Sequence, residues 1–159
     1  MNIIDRFNSG VDFEDLYGKD IALKYCILWA LKDCYGHENR LTGKEFVKRT
    51  QSRWFYKIDK TRKLPGGRKI RATLCQLRKE GATVVSTGGT KGGYWVASSF
   101  EEIKAFVDGE FRSRSLDQLH TGKRVLDAGR RKFGGQQGIW EESTRMGQRY
   151  QEAISILED

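Results

Sequence analysis

The sequence predicts a mainly helical α+β fold in which a run of helices leads into a glycine-tipped β-hairpin. Three observations carry this. Apolar residues recur at spacings of 3 and 4 over residues 21–35 and again over 67–80, the period of a half-buried helix. Two runs rich in β-branched and aromatic residues, Thr83-Val-Val-Ser86 and Tyr94-Trp-Val-Ala97, flank the turn Thr87-Gly-Gly-Thr-Lys-Gly-Gly93. Capping boxes of the form Ser/Thr-x-x-Glu open at Thr42 and at Ser99. A chain of 159 residues, 38% of them hydrophobic and 11% aromatic, has enough apolar surface for one core and does not have the composition of a disordered chain.

Taken in order, residues 1–20 interleave Phe7, Phe13, Leu16 and Tyr17 with Asp5, Asp12, Glu14, Asp15 and Asp20 without a sustained period, which reads as an acidic aromatic arm or short helix. Leu23, Ile27, Ala30, Leu31 and Cys34 define a helix over 21–35, with Trp29 off the stripe and Gly36 as its stop. Asn39-Arg40-Leu41 is a short extended lead into Thr42, where a second helix starts and is expected to run to about Thr50. Residues 51–66 form a basic insertion of open secondary structure, with Trp54-Phe55-Tyr56 set among Arg53, Lys57, Lys60, Arg62 and Lys63. Pro65-Gly66-Gly67 breaks the chain, and a third helix fits 67–80 on the stripe Ile70, Leu74 and Leu77, with Gly81 as its left-handed cap. At about 100° per residue, Arg68, Lys69, Ala72, Gln76 and Lys79 point away from that stripe, and Arg71 and Arg78 flank it. Ser99 opens a helical extension over 99–133 through Phe100, Ile103, Phe106 and Val107, expected to be interrupted at Gly109, Gly122 and Gly129. Residues 134–138 read as a linker. Beyond it Ile139, Ser143, Met146, Tyr150, Ala153 and Leu157 make a heptad seam over 139–159, suited either to packing back on the domain or to a homodimer contact through Ile139, Met146, Tyr150 and Leu157.

The net charge of +8 is unevenly placed. Residues 1–39 carry a net −3 and residues 92–159 a net −1, whereas residues 40–91 hold 15 Lys and Arg against 3 Asp and Glu, a net +12. Such a concentration repels itself unless an anion screens it, and polyphosphate is the commonest partner of that kind. The order helix, extended segment, helix, helix, hairpin, helix is that of a winged helix-turn-helix. In that geometry the helix after the turn enters the major groove and the hairpin lies along the neighbouring backbone. Arg68 is then placed to pair with guanine and Gln76 with adenine, while Lys44, Lys69, Arg71, Lys79 and the hairpin-tip Lys91 are placed for phosphate.

The stretch Arg68-Lys-Ile-Arg71, Leu77-Arg-Lys-Glu-Gly81, Val85-Ser86, Gly92-Gly-Tyr94-Trp-Val-Ala97 and Ser99-Phe-Glu-Glu-Ile103 resembles the winged-helix domain of the biotin-repressor type, nearest to the forms in small bacteriophage regulatory and replication proteins. The resemblance covers residues 67–107 and, more loosely, 21–50. It implies a winged helix-turn-helix domain over 21–98 with a glycine-tipped wing and a C-terminal helical extension. It also implies that Arg68, Arg71, Gln76 and Lys91 face DNA and that Tyr94 and Trp95 anchor the wing. The chain departs from that family in the long insertion at 51–66, where the family has a tight turn.

The insertion supports two readings: a stacking platform for single strands built on Trp54, Phe55 or Tyr56 with Arg53, Lys57, Lys60, Arg62 and Lys63 on phosphate, or three aromatics filling the core of an extended element. The glycine-rich turn lacks the Gly-Lys-Ser/Thr ending of a P-loop and lies between strands, so it does not read as a nucleotide cradle. His37 and His120 stand far apart without metal-ligand spacing, and the basic block holds only Glu45, Asp59 and Glu80 as acids. The expectation is a non-catalytic duplex DNA-binding protein without metal or cofactor, in transcriptional regulation or replication. The alternatives are a phage module that occupies a host polymerase or a CRISPR-type defence ribonucleoprotein, or a single-strand or RNA binder. Without an 18-residue apolar run or a secretory leader pattern, the chain reads as soluble and cytoplasmic. Cys26, Cys34 and Cys75, odd in number, read as buried reduced thiols.

Overall fold

In the computed structural model the described residues are 1–58, 63–111, 116–134, 144, 145, 147–149 and 151. They form six helices and one two-stranded antiparallel sheet: α1 Ile3–Asn8, α2 Ala22–Leu31, α3 Gly43–Lys57, α4 Gly67–Lys79, β1 Val84–Thr87, β2 Gly93–Val96, α5 Phe100–Phe111 and α6 Leu116–Lys132. This is a mainly helical α+β fold, as the hydrophobic periods predict.

The centre is α2, which buries Tyr25, Cys26, Ile27, Leu28, Ala30 and Leu31. A helix apolar on nearly every side belongs inside, and α3 and α4 pack around it. Phe46 from α3 and Ile70, Leu74 and Leu77 from α4 complete that cluster. Along the hairpin, side chains alternate between faces. Val84 and Val96 enter the first cluster, while Val85, Trp95 and Ala97 enter a second one formed with Phe100, Ile103, Phe106 and Val107 of α5 and Val125 and Leu126 of α6. The hairpin base is therefore a middle layer covered on both faces, and only its tip reaches solvent.

An edge segment joins the sheet from between α2 and α3. Leu41 and Tyr94 exchange both backbone hydrogen bonds at 2.9 and 2.8 Å, and Gly36 N–H donates to the Val96 carbonyl at 2.9 Å. Gly93 permits this approach, since a Cβ there would lie 2.4 Å from the Leu41 carbonyl oxygen.

Several expectations change. Of the two readings of residues 1–20, arm or short helix, α1 supplies the helix, and the segment is packed: Phe7 and Phe13 are buried, Phe13 meets Tyr25 edge-on at 5.9 Å, and the Asn8 side chain bonds Gly81 and Thr83. The reason is that a short helix and two 3-10 turns deliver aromatics to the core without a sustained period. The first long helix ends at Leu31, and residues 34–36 turn instead to pair with β2. The second helix does not stop near Thr50 but continues to Lys57, so the first seven residues of the 51–66 insertion are helical and residues 58–66 connect to α4. Gly109, Gly122 and Gly129 lie inside α5 and α6. At Gly129 the helices cross so closely that a Cβ would sit 2.7 Å from Ile103 Cδ1. Cys75 is exposed on α4, whereas Cys26 and Cys34 are buried. Of the predicted linker only Gly134 is described, and the seam residues Ile139, Met146, Tyr150 and Leu157 lie outside the described residues.

Candidate nucleic-acid interface

The site begins with the helix boundaries. At the start of α3 the capping box forms as predicted: Glu45 N–H donates to Thr42 Oγ1 at 3.3 Å and Thr42 N–H to Glu45 Oε2 at 2.9 Å. Those bonds hold the Glu45 carboxyl below its ordinary range and occupy the one acid on α3, next to exposed Lys44. Gly81, at φ +100°, ends α4 as its sequence position predicts. Ile70, Leu74 and Leu77 bury one face of α4, which leaves Arg68, Lys69, Arg71, Ala72, Cys75 and Gln76 exposed and Lys79 partly so.

Short contacts tie together the elements that carry these cations. Arg40 Nε donates to the Lys91 carbonyl at 2.8 Å, and Arg40 Nη1 to the His37 carbonyl at 3.1 Å, so the edge segment grips the hairpin tip. The tip turns through Gly89 at φ +86° and leaves the Lys91 side chain exposed. Lys44 follows Arg40 by four residues and precedes Val47 by one helical turn. Val47 in turn touches the start of α4: a Cβ on Gly67 would stand 3.4 Å from Val47 Cγ2 and 3.2 Å from Arg71 Nη1. The basic path Lys91, Arg40, Lys44 and Arg71 is thus a succession along elements that pack on one another: the hairpin tip, the edge segment, the start of α3 and the start of α4.

Glu80, just past the end of α4, accepts Lys24 Nζ at 2.5 Å and Gln76 Nε2 at 3.0 Å. Gln76 is therefore on the exposed face but spends an amide hydrogen on Glu80. Arg78, expected to flank the stripe, is buried. Its Nε donates to the Val84 carbonyl at 2.8 Å, its Nη2 to Ser86 Oγ at 2.9 Å, and the guanidinium lies 4.6 Å from the Phe106 ring centre. Burial draws its pKa down to about 10, which leaves it protonated at neutral pH. It pins α4 to the hairpin and to α5, and so fixes the angle between the two basic elements.

The residues of the insertion separate. Arg53 is consumed internally: it pairs with Glu14 Oε1 at 3.1 Å, donates to Tyr25 Oη at 2.6 Å and covers the Trp29 ring at 4.3 Å. It is not available for phosphate. Trp54 packs partly buried on the first cluster, as the core reading expects, although on a helix and not on an extended element. Tyr56 is 77% exposed, Lys57 stands 5.7 Å over the Tyr17 ring with its residue exposed, and Lys63 is exposed. Lys60 and Arg62 lie outside the described residues.

Arg40 is the functional candidate that sequence reasoning passed over. Its signal was there, a cation in the extended lead to Leu41-Thr42, but its partner lies 51 positions away. Tyr94 and Trp95 do anchor the hairpin base: Tyr94 stacks on Phe46 at 4.6 Å, and Trp95 Nε1 donates to Glu102 at 3.1 Å. Glu102 also accepts from Ser98 N–H and His37 N–H, while its own N–H meets Ser99 Oγ at 3.3 Å. The second capping box is thus half formed, because the carboxylate braces the hairpin. His37 lies edge-on to Trp95 at 5.0 Å. Among the described residues no three His, Cys, Asp or Glu side chains converge to hold a metal ion, and no helix is long and apolar enough to cross a membrane. No protein-family model, curated protein or solved structure matches the chain.

Proposed function

We propose that this chain is a winged helix-turn-helix protein of the biotin-repressor type that binds duplex DNA without catalysis, in transcriptional control or replication. The observation that carries the reading is the exposed, acid-free outer face of α4, with Arg68, Lys69, Arg71 and Gln76, on a helix packed with α3, whose start carries exposed Lys44 and whose lead holds the Lys91 hairpin tip through Arg40. A helix of 13 residues with no acidic side chain, its apolar stripe buried and its other face cationic, has the form of a major-groove reader. The hairpin beside it presents one lysine on a braced backbone, which suits a phosphate contact. The Leu41–Tyr94 bridge ties the lead into α3 to the base of this hairpin, which supports the reading. The rival reading, a module that occupies a host protein, draws on the acidic aromatic arm and the C-terminal seam; Phe7 and Phe13 of the arm are buried, and the seam residues lie outside the described residues.

The test separates base reading from phosphate contact. Binding-site selection from random duplexes should return a shifted preference for Arg68→Ala and for Gln76→Ala. Lys44→Ala and Lys91→Ala should keep the preference, weaken all sequences evenly and each lower the slope of log affinity against log salt by about 0.9. Uniform behaviour of all four variants would refute the assignment.

A further inference from the structure

At the far end of α3 the structure leaves an aromatic surface uncovered. Among the described residues the exposed large hydrophobics are Met1, Val11, Phe55, Tyr56 and Leu64, so three of them fall in this one region. Tyr56 is 77% and Phe55 39% exposed, and their rings meet edge to face, with centres 5.6 Å apart at 84°. That geometry fixes the tyrosine while leaving most of its surface in water. Leu64, also exposed, immediately precedes Pro65 in the connection to α4. Gln51 Nε2 donates to the Pro65 carbonyl at 2.9 Å, which brings the α3–α4 connection back against the helix one turn before Phe55.

Isolated apolar exposure of this size is costly unless something covers it, and the surrounding charge says what kind of partner fits. Neither residues 46–57 nor residues 63–79 contain an acid, Asp59 being the one between them, and Lys57 and Lys63 are exposed; Glu14, the acid that reaches this end of α3, is paired with Arg53. Gln51 holds Pro65 against α3, and two residues later α4 begins with Arg68 and Lys69 exposed, so this end of α3 is tied to the start of the α4 face. A planar, apolar-faced ligand carrying negative charge answers both features. Nucleobases joined by phosphates are such a ligand, and aromatic side chains stack on them with little regard to sequence.

Building on the duplex-binding reading, we propose that Tyr56, steadied by Phe55, stacks on an unpaired base next to the duplex held by α4, with Lys57 and Lys63 on the adjoining phosphates. The chain would then favour a junction between double- and single-stranded DNA over a blunt duplex. Arg53 and Trp54, which the sequence groups with this pair, take no part, since both are turned inward.

The experiment compares a blunt duplex with the same duplex bearing a short single-stranded overhang, by fluorescence anisotropy on the full chain. Wild type should bind the overhang probe roughly fivefold or more tightly, the lower end of what one stacked base contributes. Tyr56→Phe should keep that preference, and Tyr56→Ala should abolish it while leaving blunt-duplex affinity unchanged. A substitution at so exposed a side chain does not disturb the core, and unchanged blunt-duplex binding confirms this in the same assay. Equal wild-type affinity for the two probes, or a preference that survives Tyr56→Ala, overturns the stacking proposal alone and leaves the patch to a protein contact. Failure of both probes to bind at low salt overturns the duplex reading and this proposal together.

Discussion

Arg40→Ala tests whether the hairpin tip works because it is held. Arg40 reaches the Lys91 and His37 carbonyls at 2.8 and 3.1 Å from a partly solvated position, so each bond contributes about 0.5 kcal/mol, the low end of the usual range. Loss of both costs about 1 kcal/mol, or about 2–4 °C in melting temperature for a chain of this size. The larger effect should fall on binding. If Arg40 acts only by positioning Lys91, removing either residue forfeits the same single phosphate, and the salt slope drops by about 0.9 in Arg40→Ala, in Lys91→Ala and in the double variant alike. If Arg40 touches a phosphate of its own, the double variant loses about 1.8. The assay is anisotropy of a scrambled duplex over a salt series, with melting curves to confirm folding. An additive double variant, or an Arg40→Ala protein with the wild-type slope, would refute the brace.

Three further outcomes follow from the packing. Gly93→Ala must push its Cβ away from the Leu41 carbonyl, which lies at 2.4 Å from the ideal position, and break the paired Leu41–Tyr94 bonds; a loss of about 2 kcal/mol or more is expected in urea unfolding, against little change for Gly88→Ala, where nothing lies within 4 Å. Burial draws the Lys132 pKa down to about 8, its ammonium meeting the Thr83 hydroxyl at 3.5 Å, the Ala97 carbonyl at 3.3 Å and the Tyr35 and Phe133 rings at 5.4 Å, none of them an acid. Between about pH 8 and the ordinary lysine value the unfolded chain holds more protons there than the folded one, so folded stability rises with pH relative to Lys132→Met, and the deficit is full below pH 8. The difference between the two proteins is the quantity to follow, because burial holds the Cys26 and Cys34 thiols and the Tyr35 hydroxyl above their ordinary values, which pulls stability the other way at higher pH. A difference that stays flat across pH 7 to 9 would show that the amine is solvated. In thiol titration of the native protein only Cys75 should react promptly, since burial raises Cys26 to about 12, and bound duplex should slow it because Cys75 shares the outer face of α4. Prompt reaction of all three thiols, or no protection of Cys75, would count against the packing or the docking face respectively.

What the sequence made legible is what local chemistry decides. The bounds of α4 were readable because Pro65-Gly66-Gly67 cannot continue a helix, Ile70, Leu74 and Leu77 keep its period, and Gly81 alone tolerates φ +100° at its end. The hairpin was readable from its glycines, though not the burial of both its faces, which depends on α5 and α6 arriving from later in the chain. The extension of α3 was obscured because Trp54, Phe55 and Tyr56 are weak helix formers in a row with no period of their own. Tertiary contacts stabilise that turn: Trp54 against the first cluster and Arg53 across Trp29. Burial of residues 1–20 was hidden for a similar reason, since Phe7, Asn8 and Phe13 find partners far along the chain. In the site, Lys44, Arg68, Lys69, Arg71, Gln76 and Lys91 could be chosen by helix geometry and turn position, and they are exposed. Arg53 could not be recognised as internal, nor Arg40 as the brace, without the fold.

The central claim, that the basic path exists to hold duplex DNA, is tested most directly by titrating the full chain against a scrambled duplex and a matched single strand from about 50 to 200 mM salt, the range over which phosphate contacts are lost. The account predicts duplex binding that weakens steeply with salt, with a slope of several phosphates that falls in Lys44→Ala and Lys91→Ala. Absence of duplex binding at the lowest salt, or binding indifferent to salt, would contradict it.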